Sequence, residues 1–201
     1  MQKGERTREA ILKEAVDLAT VVGLNGLTIG TLASHTELSK SGLFQHFGSK
    51  EALQLATLEH GVRLFEEQVV KPALQRPRGV ERVKALFDSW MGWSDHAGGK
   101  GGCLFVTASV ELDDREGEPR DFLVRTQQNW LNLLERTATH GVEAGVFRSD
   151  LDCMQFAHEV NAICLGYHQA KRLMRDKDSE LRAQRALDRL IEDARKDAAD
   201  T

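Results

Sequence analysis

Apolar side chains in this 201-residue chain recur at spacings of three and four from near its start to near its end, and strand-like alternation is nearly absent. Such spacing lines one face of an α-helix, so the pattern restricts the chain to an all-α fold. Only 3 prolines are available to break it. Ile11, Ala15, Leu18, Ala19 and Val22 form the first stripe, Thr7 can cap its start, and Gly23 sits where a helix ends in a left-handed residue. A second short helix is expected after Thr28 to about His35, and a third after Ser39 to about His46. A long fourth helix runs from a Ser49 cap to Val70, where Pro72 kinks or ends it. PRG at 77–79 breaks the chain before the run Val80, Val83, Phe87 and Trp90, and GGKGG at 98–102 is a second joint. A short helix over 104–112, an acidic loop containing Pro119, and helices over 120–144, 150–174 and 179–196 bring the total to about nine.

The helix over 150–174 carries Met154, Phe156, Ala157, Val160, Ile163, Cys164, Leu165, Tyr167, Leu173 and Met174 on more than one face. One apolar stripe is enough to pack a helix against its own core, so a second surface must cover the excess. A partner subunit is the favoured cover, because symmetric dimers are the commonest soluble oligomers; burial within the monomer is the alternative.

With 41% hydrophobic and 29% charged residues the chain has ordinary globular composition and can bury a sizeable core, which argues against disorder. No apolar run approaches the roughly 20 residues that cross a bilayer, and the front of the chain lacks the basic-then-apolar order of a secretory signal. A cytoplasmic location with no membrane partner is expected. Cys103, Cys153 and Cys164 are too few and too unevenly spaced for a disulfide framework, and reduced thiols fit that compartment. The net charge of −4 divides into +1 over the first 50 residues and −5 over the rest, a slight asymmetry. Local placement of cations decides phosphate contact, not this sum.

Two short helices joined by a tight turn, the second beginning SKSG at 39–42, outline a helix-turn-helix, whose second helix lies in the DNA major groove. Ala33 is small enough for the third helix to cross close over the second, and Leu32, Leu38, Leu43 and Phe47 supply apolar contacts for the crossing. Ser39 can cap the third helix, whose first N–H groups present positive dipole to a phosphate, while Lys40, Ser41 and Gln45 face outward.

The stretch TIGTLASHTELSKSGLFQHFGSKEAL, residues 28–53, resembles the DNA-binding signature of tetracycline-repressor (TetR) family transcription regulators at nearly every fixed position. The resemblance is sharp over about residues 5–60 and covers the remainder only in general architecture. It implies a helix-turn-helix DNA-binding domain over 5–50, with the signature reaching about 64, and a ligand-binding and dimerisation domain over 51–201. It also implies that Thr28, Ser39 and Lys50 touch phosphate, and that Lys40, Ser41, Gly42, Phe44, Gln45 and His46 lie at or near the groove. Gln45 is the expected base reader, since a glutamine amide pairs bidentately with adenine. Phe44 stands where relatives commonly carry tyrosine. Glu37 stands where the family has a turn glycine, which costs about 1 kcal/mol if the position is left-handed. Gly30 replaces a longer polar side chain, which moves recognition towards the third helix.

The implied partners are double-stranded operator DNA, a small-molecule effector and a second copy joined through the last two helices. Leu64, Phe65, Phe87, Trp90, Phe105, Trp130 and Leu134 are the candidate walls of an apolar, aromatic effector pocket, with Cys103 beside it. Cys103 follows the GGKGG joint with Lys100 nearby, at the expected amino end of a helix, a place that stabilises a thiolate, although an inert buried thiol is the favoured reading. Cys164 and His168 lie one turn apart, but two ligands without HExxH or CxxC do not make a metal site. The chain holds no phosphate loop, nucleophile elbow or dinucleotide glycine fingerprint, so neither catalysis nor a cofactor is expected. Two rival readings stand beside the regulator: a redox or electrophile sensor acting through Cys103, and a helical small-molecule-binding protein without operator binding, which Glu37 and Gly30 would favour.

Overall fold

The computed structural model describes residues 3–36, 38–96 and 101–195. Among them the chain is all-α: α1 (Lys3–Gly26), α2 (Ile29–Thr36), α3 (Lys40–Phe47), α4 (Lys50–Phe65), a π-helical segment (Glu66–Val70), α5 (Lys71–Leu74), α6 (Val80–His96), α7 (Leu104–Leu112), α8 (Glu118–Glu143), α9 (Cys153–Arg172) and α10 (Ser179–Ala194). Counting the four-residue α5 with the helix it follows in sequence gives the nine expected. The GGKGG joint falls largely, and Glu37 wholly, outside the described residues.

Boundaries follow local chemistry. Gly23 breaks α1 at φ 76°, ψ 166°, a region essentially restricted to glycine and different from the left-handed helical conformation anticipated there. Near Val70 the expected regular helix gives way to a π-helical segment just before Pro72, which lacks the N–H that a continuing α-turn would use. Pro119 lies inside the first turn of α8, where a missing N–H costs nothing, so that helix starts at Glu118. Asp152 caps α9 by accepting from the N–H groups of Met154 (3.1 Å) and Gln155 (2.9 Å).

The chain divides into two compact units, residues 1–65 with 93–126 and residues 66–92 with 127–201. In the first, α1 packs on α2, α4 and α7, α2 packs on α3, and α3 on α4. Leu12, Leu24, Leu27, Leu32, Leu43, Leu53 and Leu58 are buried there. Each contributes about 1.5 to 3 kcal/mol of transfer free energy. A Cβ on Gly61 would lie 2.8 Å from Leu104 Cδ2, so glycine is what lets α4 and α7 approach. In the second unit α9 packs on α10. Phe156, Val160, Cys164 and Tyr167 are buried on α9, as are Ala183, Leu187 and Ile191 on α10. Lys84 and Asp188 form an ion pair at 2.7 Å, and Gln184 donates to Asp88 at 2.7 Å, tying α6 to α10.

Candidate functional site

Both short helices of the first unit are set by hydroxyl caps. At α2, the Thr31 N–H donates to Thr28 Oγ1 at 3.0 Å and the Thr28 N–H to Thr31 Oγ1 at 2.8 Å, a reciprocal capping box. At α3, Ser39 has extended backbone (φ −70°, ψ 141°) and accepts from the Gly42 N–H at 3.1 Å. Ser49 caps α4 likewise, through the Ala52 N–H at 3.0 Å. Leu43 and Phe47 turn one side of α3 inward, where the Arg8 guanidinium sits 5.4 Å over the Phe47 ring. Sequence reasoning missed Arg8, which belongs to a different helix and carries no motif.

Lys40, Ser41, Phe44 and Gln45 stand exposed at positions i, i+1, i+4 and i+5, one continuous stripe on the opposite side of α3. Phe44 is 58% exposed and gives that stripe an apolar ring. Gly42, His46 and Thr28 are half-buried, and Ser39 is exposed. Leu38 is 42% exposed and so does not fix the helix crossing as anticipated; Leu32, Ala33, Leu43 and Phe47 do. Lys50 is exposed, with its ammonium donating to the Asn25 carbonyl at 2.7 Å.

The residues anticipated as effector walls fall into both units. Leu64, Phe65, Cys103 and Phe105 belong to the first. There Phe65 meets Trp93 edge-on (5.3 Å, 82°) and Phe105 edge-on (5.8 Å, 90°), while Trp93 and Phe105 lie nearly parallel at 6.4 Å. Phe87, Trp90, Trp130 and Leu134 are buried in the second unit, where Trp130 Nε1–H donates to Asn161 Oδ1 at 3.2 Å. Trp93, absent from the sequence list, was detectable from its position one helical turn after Trp90.

Cys103 is 2% exposed at the N-cap of α7. Burial pushes its thiol pKa up, and this outweighs the backbone N–H groups of Val106 and Phe105 and the Trp93 side chain, which pull it down. Burial thus favours the inert thiol over the thiolate that a helix terminus alone would stabilise. Sequence reasoning also missed His60, which is 3% exposed. Its Nδ1 lies 3.0 Å from Arg63 Nη2 and 3.4 Å from Glu9 Oε1, and its buried Nε2 has no hydrogen-bond partner among the described residues. Among the described residues no three His, Cys, Asp or Glu side chains are grouped as for a metal ion. A pocket of about 300 Å³ opens in the first unit, lined among others by Lys50, Glu51, Gln54, Leu112, Arg115 and Arg120.

An all-helical chain whose third helix buries one side and offers Lys40, Ser41, Phe44 and Gln45 on the other is a helix-turn-helix DNA-binding protein. Residues 11–57 match the model described as bacterial regulatory proteins, tetR family, and residues 79–187 match the tetracyclin repressor-like C-terminal domain. The chain belongs to the tetracycline-repressor family of transcription regulators. The HTH-type transcriptional repressor NemR of Escherichia coli is 26% identical over 168 residues, covering 82% of this chain and 84% of that protein. The TetR-family regulator of Cytophaga hutchinsonii superposes with a TM-score of 0.84 at 21% identity over 98% of both chains. AibR, crystallised with isovaleryl coenzyme A and operator DNA, superposes with a TM-score of 0.68 at 22% identity over 92% of this chain and 95% of that one. At these identities the likeness between structures establishes the fold.

Proposed function

We propose that this protein is a homodimeric repressor that reads an inverted-repeat operator with α3 and leaves it when a small apolar or aromatic molecule binds. The observation that carries the reading is the exposed stripe Lys40, Ser41, Phe44 and Gln45 on a helix whose start is capped by Ser39 and whose other side is buried. In this reading residues 5–50 form the reading domain, residues 51–201 serve ligand binding and dimerisation, and the protein works in the cytoplasm, where its DNA lies. It acts by binding and not by catalysis. Recognition of both a small molecule and DNA has a precedent in the fold, because AibR was crystallised with isovaleryl coenzyme A and operator DNA.

Dimerisation through α9 and α10 is supported by what those helices leave uncovered. Leu165 is 45% exposed, Leu173 and Leu181 are exposed, and Ala162 and Gly166 give the same side of α9 a shallow surface that a second helix can approach. For the effector, the rings of Phe65, Trp93 and Phe105 offer apolar contact. The unpartnered His60 Nε2, in the same unit, offers a buried polar group that a ligand would satisfy. The burial of Cys103 favours this reversible binding over the thiol-based reading.

Selecting bound duplexes from a random pool tests the proposal. A two-fold symmetric motif with half-sites about 34 to 36 Å apart is the expected product. A selected motif without symmetry, recovered from protein that sediments as a monomer, would remove the dimeric reading.

A further inference from the structure

The link between α1 and α2 is held by residues far away in sequence. Asn25 has three polar groups in use: its N–H donates to Glu111 Oε2 (2.8 Å), its carbonyl accepts from Lys50 Nζ (2.7 Å), and its side-chain oxygen accepts from Arg115 Nη1 (2.6 Å). One residue earlier, the Leu24 carbonyl accepts from Gln54 Nε2 at 2.6 Å, a buried bond. The carboxylate of Glu111 also fills the space a side chain at position 23 would need, since a Cβ on Gly23 would lie 1.9 Å from Glu111 Oε1. The unusual backbone at Gly23 is thus matched to one carboxylate. These bonds pair the Asn25 backbone groups and add a partner to the Leu24 carbonyl, which also accepts from the Leu27 N–H at 3.3 Å, and α2 begins only four residues after Asn25.

Glu111 sits in the last turn of α7, whose first turn carries Phe105 of the aromatic cluster. We propose that Glu111 and Arg115 are positioning residues for operator binding: they hold the α1–α2 link, and so the helix-turn-helix, at an orientation set by α7. The proposal rests on the DNA-reading role of α3, and it concerns fit to the operator, not attraction to DNA in general.

The test uses the full chain, a duplex selected by the wild-type protein and a scrambled duplex of equal length, with Glu111→Ala, Glu111→Gln and Arg115→Met. Glu111→Ala should weaken the selected duplex about tenfold or more, by leaving the Asn25 N–H without its acceptor, while changing the scrambled duplex less than about twofold. Glu111→Gln, whose amide oxygen can still accept that N–H, should recover most of the loss. Arg115→Met, at an exposed position, should lose about threefold on the selected duplex alone. Amide hydrogen exchange at Asn25 should speed up in Glu111→Ala and much less in Glu111→Gln. Equal losses on both duplexes, accompanied by a lowered melting temperature, would mean that the carboxylate merely stabilises the domain, and the proposal falls. It also falls if Asn25 exchange is unchanged in Glu111→Ala, a result read without DNA.

Discussion

Gln45 and His60 show how the same residue-level question, what satisfies a polar side chain, separates binding from stability. The Gln45 amide is exposed on α3 and makes no hydrogen bond among the described residues, so its pairing capacity is available to a base edge. Gln45→Ala is expected to relax base preference at one operator position by about 1 to 3 kcal/mol while leaving scrambled DNA unaffected, as read by competition between duplexes differing at single positions. His60 is the buried counterpart. Burial is the main cause that lowers its pKa from the ordinary 6.5, with Arg63 adding to the shift and Glu9 opposing it. A folded-state pKa below the unfolded one means that the unfolded chain takes up more protons, so the stability is present above pH 6.5 and is lost as the pH falls through the folded value. His168, also lowered by burial, acts in the same direction. The melting temperature should therefore fall between pH 7.5 and 5.5, and His60→Phe should flatten that fall; an equal pH response in the variant would remove His60 as its source.

At the scale of elements, the caps do most to fix what reaches DNA. Ser39 is exposed and its hydroxyl takes the Gly42 N–H, so Ser39→Ala removes a cap without disturbing the core. A loss of about 1 kcal/mol is expected, read as a lower midpoint in urea with an unchanged slope. Caps and glycines are also why the short helices were legible in the sequence: Thr28, Ser39 and Ser49 all start helices where their hydroxyls suggested. Apolar spacing likewise located the buried side of α3 and most of that of α1, where Ile11, Ala15 and Ala19 are buried but Val22 is 42% exposed. What periodicity could not supply was competition between distant parts. Nothing near position 50 announces that the Lys50 ammonium meets a carbonyl at position 25. Leu38 failed for the complementary reason, since an apolar residue in a tight turn can remain 42% exposed when its neighbours already fill the crossing.

For the whole molecule, the decisive quantity is how many phosphates one assembly neutralises at once. Each adds about 0.9 to the slope of log affinity against log salt, so a dimer seated on two half-sites should show about twice the slope of a single subunit. Leu165 is partly exposed on α9, whose other side packs on α10, so Leu165→Glu should leave the subunit folded while placing a carboxylate in the proposed contact between copies. The expected result is a monomer by sedimentation, with helical content preserved, an operator affinity reduced by about a hundredfold or more, and a salt slope near half that of the parent. The large loss follows because the second half-site no longer benefits from the high effective concentration that the first contact creates. A variant that stays dimeric with the parental slope would place the contact between copies on another face of the chain, and α3 would then need a different geometry to reach two successive grooves.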